Sequence, residues 1–414
     1  MKPKKPAINR ARRQFLQSTA LVAGGIILAS CAPEDAGPRI TAEPKPDAKP
    51  DENKKAESGE KLTYGALMCG GRLINTETNE ERFVFTQLSI DQTIKDKGAK
   101  QKLITDIGFL AHGVIKNPNA NHKILVFEKK GEGGAEIDLK DNKLTTRIKP
   151  SKGCAFYGHG AYSVDGKLVY ATEYDEQTYI GKMTVRDAED FSVVGEFPTH
   201  GEWPHDCQFI DEGKTVAVTN GGGNIEGGAI PNVSYIEVST GELIEKIEFN
   251  SELINAGHLI ISPNGDLGVG HAMREGLDTR EAMGALSLRP KDGKFKTMVT
   301  PAAVTSAMKG ETLSLCLNTA NRTIAATNPY GSPNGIVTFW NYETQKYVSS
   351  LELEQPRGVA MTLDGSYWII TFGKDTPGVV LVSAETNKLG DEPIMFAASS
   401  QGSHVYVHDY WAGA

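Results

Sequence analysis

A short motif that recurs along the chain constrains its fold more than any other feature. In each copy a small residue or proline is followed by histidine or arginine and then by a short apolar run. The basic residues of these copies are His112, His159, His205, His258, Arg357 and His404. They lie 47, 46, 53, 99 and 47 residues apart, and the widest interval has room for one more unit around Glu311-Thr312-Leu313-Ser314. A period of about 40–50 residues is typical of four-stranded β-propeller blades.

Between the motifs, short runs rich in Val, Ile, Tyr and Thr alternate with tight turns such as Asp165-Gly166, Asn264-Gly265 and Asp364-Gly365. This alternation is typical of strands joined by hairpins. A single four-stranded unit cannot bury both faces of its sheet, whereas stacked units cover one another. The pattern therefore predicts an all-β fold over residues 62–414, a seven-bladed β-propeller.

The last unit begins at His404, only ten residues before the end of the chain. Its missing strands can come from Leu62–Met68, Arg82–Leu88 and Lys102–Thr105. We therefore expect the propeller to be closed by pairing of its N- and C-terminal strands, which removes the exposed sheet edge.

The first thirty residues are typical of an export signal. Arg12 and Arg13 form a twin-arginine motif inside a basic segment without acids, and the apolar stretch that follows is shorter than the roughly 20 residues of a membrane-spanning helix. It ends in Leu28-Ala29-Ser30-Cys31, which resembles a lipobox and predicts lipidation of Cys31. A plain soluble export signal with an incidental cysteine is the alternative.

These features predict a twin-arginine lipoprotein signal peptide over residues 1–30 and a disordered, lipid-anchored tether over residues 31–61, where Pro, Lys and acidic residues predominate. We expect a periplasmic protein anchored to a membrane by lipid. Ala32, rather than Asp, follows Cys31 and favours the outer membrane over the inner one.

The charge of the chain argues against a nucleic-acid partner. The formal net charge is −8, and removal of residues 1–30, which hold six Lys or Arg and no acid, leaves 38 basic against 52 acidic residues, or −14. Phosphate backbones require clustered Lys and Arg instead. Four cysteines remain after Cys31, and the sequence leaves open whether they are buried thiols or form one disulfide: Cys69, Cys154, Cys207 and Cys316.

The first strand of each propeller blade lines the central channel, so residues at the same place in each unit point towards one axis. The repeated histidines with Arg357, and also Thr312, are therefore expected to form a ring at one channel mouth. Imidazole binds copper, iron, zinc and nickel, and the ring predicts a metal or anion site, with iron or copper as the candidate cofactor. The structural alternative is that each imidazole bonds the neighbouring blade or channel water. Secondary candidates for the same mouth are Glu173, His200 and Asp206.

Several longer segments resemble domain-of-unknown-function family fifteen-thirteen. They are Phe156-Tyr157-Gly158-His159-Gly160, Thr172-Glu173, Gly195-Glu196-Phe197-Pro198-Thr199-His200-Gly201, Pro204-His205-Asp206 and Asn220-Gly221-Gly222. The resemblance implies a twin-arginine-exported bacterial propeller. It also implies a link to iron acquisition, with imelysin-type periplasmic iron-uptake proteins as possible partners.

Two classes of function follow from these features. The first is a periplasmic binding or scaffolding module that serves iron or other metal acquisition. The alternative is an enzyme with its site at the histidine-ringed mouth, either a metal-dependent redox protein or a lactonase-like hydrolase. The sequence contains no Gly-x-Ser-x-Gly, His-Glu-x-x-His or Cys-x-x-Cys-His signature that would favour the enzyme.

Overall fold

The structure is a computed structural model that describes residues 62–411 with short gaps at 75–76, 79, 97–101, 250, 252, 275, 278–283, 332–333, 374–376, 392 and 398–403. The predicted signal peptide, the lipidated Cys31 and the tether lie outside the described residues. Among the described residues no helix is both long and apolar enough to cross a membrane.

Strands make up nearly all of the regular structure. The first fifteen are β1 Ala66–Ile74, β2 Glu81–Ser89, β3 Lys102–Asp106, β4 Ala111–Lys116, β5 Lys123–Gly131, β6 Gly134–Asp138, β7 Lys143–Ile148, β8 Cys154–Tyr162, β9 Leu168–Asp175, β10 Ile180–Asp187, β11 Val193–Glu202, β12 Pro204–Ile210, β13 Thr215–Asn220, β14 Asn232–Glu237 and β15 Leu243–Glu248. The rest are β16 Leu259–Ile261, β17 Leu267–His271, β18 Ala285–Arg289, β19 Lys296–Thr297, β20 Ser314–Asn318, β21 Thr323–Asn328, β22 Gly335–Asn341, β23 Lys346–Leu353, β24 Val359–Met361, β25 Tyr367–Phe372, β26 Gly378–Ser383, β27 Ile394–Ala397 and β28 Tyr406–His408. In the described part of the chain the helical turns are α1 Ile90–Lys95, α2 Ala302–Thr305 and a 3-10 turn at Asp211–Gly213.

The strands form antiparallel sheets, and from β12 to β27 they pair in chain order within each sheet. Within the described residues five sheets have four strands each. Four of them are β12–β15, β16–β19, β20–β23 and β24–β27, and in the fifth the strand order is β28-β1-β2-β3. A sixth sheet holds the eight strands β4–β11. In the sheet that joins the two ends of the chain, Ala66 is paired with His408 and Met68 with Tyr406. The observed architecture is a β-propeller, so the predicted all-β propeller class is confirmed.

The hairpin turns follow the chemistry expected from the sequence. At Asp165-Gly166 and Asp364-Gly365 the glycines adopt φ values of +70° and +74°, a conformation that residues with a Cβ rarely adopt. The aspartate side chains accept hydrogen bonds from the amides of Lys167 and Ser366, two residues further on. These turns set the register of the strands that they join.

Apolar clusters lie between successive sheets. One of them joins Ile115 and Phe127 to Phe156 and Val169, all of which are buried. The second strands are buried on both faces, as in β21, where all six residues are buried. Such strands are continuously covered because a neighbouring sheet packs on each side, which is the stacking that the repeat predicted.

The cysteines lie on separate first and second strands. Cys154, Cys207 and Cys316 are free thiols on β8, β12 and β20, and Cys69 on β1 lies 3.2 Å from the Thr86 hydroxyl. Burial raises the pKa of Cys207 and raises that of Cys316 to about 12. The thiols of Cys207 and Cys316 therefore remain protonated at neutral pH. The sequence left open whether the cysteines are buried thiols or form one disulfide, and Cys154 and Cys207 are buried thiols.

A central cavity of about 250 Å³ is lined by the strands that open each unit. Its walls include residues from β4, β8, β12, β16, β20, β24 and β28 or from the positions just before them. The repeated motif lies on these same strands, and the fold thereby brings together residues that are far apart in the chain.

Candidate metal centre

Five of the repeated histidines meet at the centre of the molecule. His112, His159 and His205 lie on β4, β8 and β12, whereas His258 and His404 lie just before β16 and β28. One ring nitrogen from each of the first four lies within 4.8 Å of the other three. The ring of His404 is centred 4.1 Å from that of His258 and 4.4 Å from that of His112. All five side chains are buried, and we call this group the histidine cluster.

Irregular strand pairing directs these side chains inward. The register between the first and second strands shifts at Ala111/Gly113, Phe156/Gly160 and Pro204/Cys207, the points where three of the histidines lie. A β-bulge turns a side chain away from the regular alternation and is frequent beside functional sites. Without these bulges the imidazoles would follow the two-residue period of an ordinary strand.

The motif predicted that the histidines occupy the same place in each unit. The register shows that they do not. Regular pairing begins at Gly160, Cys207 and Leu259, which are opposite Ala171, Val218 and Val269. His159 and His258 come immediately before this point, but His205 comes two residues before it. In the unit of His205 the position immediately before regular pairing is taken by Asp206. The cluster is therefore staggered, which lets five rings fit around one narrow axis.

Gly158 provides room for one of these rings. Its φ is +102°, a backbone conformation that suits glycine. A Cβ at this position would lie 2.6 Å from Cδ2 of His112, closer than carbon atoms can pack. The glycine before His159 therefore makes space for the histidine of the preceding unit.

Asp206 joins two of the imidazoles. Its Oδ1 lies 3.3 Å from Nδ1 of His159, and its Oδ2 lies 3.4 Å from Nδ1 of His258. The same carboxylate accepts hydrogen bonds from the amides of Cys207 and Leu259. Both oxygens are thus held, and Asp206 fixes the orientation of two rings so that their Nε2 atoms point away from it.

Four rings of the cluster, those of His112, His159, His205 and His404, are held in the uncharged form. Burial, together with the charges of neighbouring basic groups, lowers the pKa of His112, His205 and His404 well below the ordinary value. Burial lowers the pKa of His159 to about 4, against the opposing effect of Asp206. Burial alone would raise the pKa of Asp206, but the imidazoles of His159 and His258 lower it. At neutral pH the site therefore combines one carboxylate with the neutral imidazoles of these four histidines.

Nε2 atoms of the cluster are buried, and two of them face each other. Those of His112 and His205 are 3.1 Å apart. Those of His159 and His404 are buried and have no hydrogen-bond partner among the described residues. Two nitrogen ligands on one ion, each about 2.0–2.1 Å from it, can be at most about 4.2 Å apart. Four nitrogens around one ion lie closer still, about 3.4 Å apart in a tetrahedral site, so nitrogens within 4.8 Å of one another would each move inward by at most about 0.9 Å to bind a shared ion.

The other predicted site residues have different surroundings. The buried carboxylate of Glu173 accepts hydrogen bonds from Arg186 at 2.7 Å and from the Ser151 amide at 2.9 Å. Nε2 of His200 lies 3.1 Å from the Gly241 carbonyl in a turn of the next sheet. Contrary to expectation, neither residue joins the cluster, because the pairing of β9 and β11 directs each towards a structural partner.

Arg357 lies two residues before β24, and Thr312 lies two residues before β20. The Arg357 backbone carbonyl accepts a hydrogen bond from the Thr327 hydroxyl, and the arginine charge contributes to the lowered pKa of His404, after burial. The Thr312 hydroxyl accepts a hydrogen bond from the Asn328 side chain and is buried within the sheet. Thr312 therefore has a structural partner, and the charge of Arg357 disfavours protonation of His404.

Two residues near the cluster were missed by the sequence analysis. Lys129 pairs across strands with Tyr157, and the Tyr157 ring packs edge-on against His205 at 5.1 Å. The only signal in the sequence was a pair of lysines, Lys129-Lys130, that ends the apolar run of β5. Nothing in that pair distinguishes a channel residue from a surface one.

The comparisons with known proteins concern the family and the fold. A family model described as "Protein of unknown function (DUF1513)" matches residues 106–396. A search of curated proteins finds no match. Among solved structures the chain is similar to hydrazine synthase of Kuenenia stuttgartiensis, with a TM-score of 0.52 and 11% identity over 84% of this chain and 99% of that chain. It is also similar to dihydro-heme d1 dehydrogenase NirN in complex with DHE, with a TM-score of 0.52 and 12% identity over 84% of this chain and 68% of that chain. At such identities these two likenesses show the propeller fold alone.

Proposed function

This chain belongs to the family described as "Protein of unknown function (DUF1513)", and from that premise we propose that it is a β-propeller binding module for one transition-metal ion, iron or copper. The ion is held by Nε2 atoms of the histidine cluster. The observation that carries the proposal is that the two nitrogens of the His159 and His258 rings have different surroundings. Asp206 contacts their Nδ1 atoms, as carboxylates do behind metal-binding histidines.

The chemistry of the cluster supports a transition metal over calcium or magnesium. The donors are neutral imidazoles, which suit copper, iron, zinc and nickel, whereas the hard cations prefer oxygen. Burial keeps the imidazoles unprotonated, so no proton has to leave the rings of His112, His159, His205 or His404 before binding at neutral pH.

A binding role is favoured over the hydrolase alternative. The hydrolase reading depends on Glu173 as an acid or base beside the histidines. Both oxygens of Glu173 are engaged by Arg186 and the Ser151 amide instead, which leaves that reading without its proton-transferring group.

For the fold we propose seven blades. The eight-stranded sheet counts as two blades, β4–β7 and β8–β11, because the link between them is confined to the end of β5, where Lys129 and Gly131 are opposite Tyr157 and Phe156. The five four-stranded sheets supply the other blades, and the pairing of β28 with β1 supports closure of the ring by the two ends of the chain.

We also propose that the protein works in the periplasm, exported through the twin-arginine motif and anchored by lipid at Cys31, where it hands metal to, or receives it from, imelysin-type iron-uptake proteins. The support is the sequence of residues 1–31 and the family resemblance. Replacement of Cys31 by Ser should release the protein from the membrane fraction. A Cys31→Ser protein that stays in that fraction would count against the anchor.

Elemental analysis of protein exported by its own host tests the metal directly. We expect iron or copper near one equivalent in the wild type and almost none in the double variant His159→Ala, His205→Ala. The matched control is His122→Ala, a half-buried histidine outside the cluster, which should keep its metal. Equal metal in all three proteins, or a wild type that holds no metal and takes none up from added Cu(II) or Fe(II), would reject the proposal and leave a scaffolding role.

A further inference from the structure

A series of aromatic side chains in contact begins at the histidine cluster. The ring of Tyr157 packs edge-on against that of His205, with 5.1 Å between the ring centres. Nε2 of His205 in turn lies 3.1 Å from Nε2 of His112 inside the cluster. Tyr157 also lies 5.4 Å from the ring of Trp203 and 5.6 Å from that of Tyr174, and these last two rings are 4.7 Å apart. The cluster is therefore continued on one side by three packed rings.

Trp203 and Tyr179 extend this series of rings to solvent. Their rings are stacked, with centres 4.6 Å apart and an angle of 15° between the planes. Tyr179 is 43% exposed, whereas Tyr157 and Tyr174 are buried. The rings thus lead without a break from a buried imidazole to an exposed phenol. We call the four residues the aromatic path: Tyr157, Tyr174, Trp203 and Tyr179.

The backbone is strained at the two outer residues of the aromatic path. Tyr179 and Trp203 have φ values of +62° and +55°, in the left-handed region that bulky residues rarely adopt. The Trp203 amide donates a hydrogen bond to the Tyr179 carbonyl at 3.0 Å, which holds the two residues side by side. Strain of this kind persists only where the surrounding structure fixes it, and it is frequent at functional sites.

Indole and phenol are the aromatic side chains that lose an electron most readily, because nitrogen or oxygen lone pairs extend their π-systems. Electrons tunnel readily between rings in contact, and the rate of transfer falls steeply when a gap separates them. A series of tryptophan and tyrosine rings that connects a metal site to solvent is therefore suited to moving single electrons.

Two lysines determine which ring is the favoured end of such a transfer. The Nζ of Lys130 lies 4.5 Å from the centre of the Trp203 ring and 5.9 Å from that of Tyr157, and the Nζ of Lys129 lies 5.8 Å from the Tyr157 ring. An ammonium group attracts the electron-rich face of a neutral ring and repels a ring that has lost an electron. The inner rings are therefore poor places for a lasting positive charge. The exposed phenol of Tyr179 can release its proton to water and is the favoured end point.

We propose that the aromatic path carries single electrons from Tyr179 to the metal of the histidine cluster when that metal reacts with a peroxide. This inference rests on the proposed metal-binding function and adds a redox role to it. Reduction of hydrogen peroxide to two molecules of water consumes two electrons and two protons. One electron comes from bound Cu(I), which becomes Cu(II), and the other comes along the path. One proton comes from the Tyr179 phenol and the other from water.

The consequence is protection of the metal ligands. The second electron would otherwise be taken from the imidazoles nearest the metal, such as those of His112 and His205. With the aromatic path intact, the oxidising equivalent leaves the buried site and becomes a phenoxyl radical on Tyr179. A soluble thiol restores the phenol by donating a hydrogen atom.

Phenylalanine substitutions remove the readily oxidised group and retain an aromatic ring for packing. Trp203→Phe interrupts the aromatic path, and Tyr179→Phe removes only its end point. The matched control is Tyr347→Phe. Tyr347 on β23 is half-buried and packs at 5.5 Å on Trp340 of β22, and the ring contacts of the described residues do not link this pair to the cluster.

The test treats the full-length protein, loaded with Cu(I), with hydrogen peroxide in the absence and presence of a soluble thiol. Mass spectrometry of peptides then maps the oxidised residues. In the wild type we expect oxidation at Trp203 and Tyr179, which the thiol suppresses. In Trp203→Phe we expect oxidation of the cluster histidines to rise about tenfold. Tyr179→Phe should shift oxidation to Trp203, and Tyr347→Phe should match the wild type.

The outcomes separate this proposal from the metal site itself. Competition with a chromophoric chelator measures Cu(I) binding, and circular dichroism checks that each variant is folded. The aromatic path is overturned, and the metal site stands, if Cu(I)-loaded wild type is oxidised mainly at the cluster histidines or if Trp203→Phe and Tyr347→Phe give the same pattern. Equal oxidation of Trp203 and Tyr179 in metal-free protein would also overturn it, because peroxide would then act on these rings directly.

Tyr179→Phe keeps the test decisive if Trp203→Phe does not fold, because Tyr179 is exposed. No rise in Trp203 oxidation in Tyr179→Phe would contradict the aromatic path. If the wild type binds no Cu(I), both proposals are overturned.

Discussion

His271 and His159 are both buried, and burial lowers the pKa of each to about 4, yet their ring nitrogens have different surroundings. In His271, Nδ1 lies 2.6 Å from the Asn255 carbonyl and Nε2 lies 2.8 Å from the Ser287 hydroxyl. In His159, Nδ1 faces Asp206 and Nε2 has no hydrogen-bond partner among the described residues. The first ring is fully used by the fold, and the second keeps a nitrogen available for a ligand.

This comparison shows that burial and a lowered pKa do not by themselves identify a binding site. An unpaired buried nitrogen costs free energy. A cluster of such nitrogens is stable only because the surrounding bulges and Asp206 hold the rings in place. A bound ion would satisfy these nitrogens, whereas nothing is left to satisfy at His271.

The largest expected effect is a loss of metal affinity on replacing cluster histidines, which replacement of His271 should not cause. The double variant His159→Ala, His258→Ala should weaken Cu(II) binding more than about a hundredfold, since two ligands and both ring contacts of Asp206 are lost. His271→Ala should leave Cu(II) affinity unchanged and lower the free energy of unfolding by about 1–3 kcal/mol, because two buried groups lose their partners. Calorimetric titration and urea unfolding measure the two quantities. Equal loss of affinity in both proteins would remove the distinction.

A smaller effect is expected from the residue behind the ligands. Asp206→Asn preserves size but removes the charge that orients His159 and His258, and we expect metal affinity to fall about 10–100-fold. Asp187→Asn, an acid at the end of β10 outside the cluster, is the control. Unchanged affinity in Asp206→Asn would mean that the carboxylate does not support the metal ligands.

Low pH should destabilise the metal-free protein through both His159 and His271. The folded pKa values of His159 and His271 lie below that of an unfolded histidine, so between about pH 6.5 and pH 4 the unfolded chain binds protons that the folded chain does not. Stability is therefore complete above about pH 6.5 and falls as the pH is lowered, by on the order of 1–2 kcal/mol for each such group at pH 5. Urea unfolding at a series of pH values measures this. A flat profile down to pH 4.5 would show that these imidazoles are not held neutral.

The smallest effect concerns the room that Gly158 provides for His112. Gly158→Ala should shift that ring and weaken metal binding by about tenfold. Separately, backbone strain should lower the free energy of unfolding by roughly 1–2 kcal/mol. Gly153→Ala carries similar strain, with φ +75°, but its new Cβ would meet nothing within 4 Å. Metal affinity should separate the two variants, whereas unfolding should show a loss in both. If Gly153→Ala weakens binding as much as Gly158→Ala, the contact with His112 is not the cause.

The sequence was sufficient to predict that distant histidines would meet, because the repeat period identified both the propeller class and the strands that line its channel. It was insufficient for the stagger between His159 and His205. That offset arises from β-bulges, and a bulge adds a residue without leaving a recognisable pattern of side chains. The role of Asp206 follows from the same offset, since it occupies the position that histidine takes in the neighbouring units.

Glu173 and His200 show that the position of a residue in a repeat does not determine which residues its side chain contacts. Glu173 was expected at the channel mouth because it stands at the end of a second strand, and His200 because it stands a short loop before the motif of His205. In a strand, however, the partner of a side chain is set by register with the adjacent strand and sheet. Arg186 and the Gly241 carbonyl, far from the motifs, therefore determined where these two residues lie.

The central claim is that imidazoles from separate units share one metal ion, and X-ray absorption at the metal edge of the Cu(II)-loaded protein tests it most directly. We predict a first shell dominated by three to five imidazole nitrogens at about 2.0–2.1 Å, which loses imidazole scattering in the variant His159→Ala, His205→Ala. A shell made mainly of oxygen, or one that is the same in wild type and variant, would contradict the account.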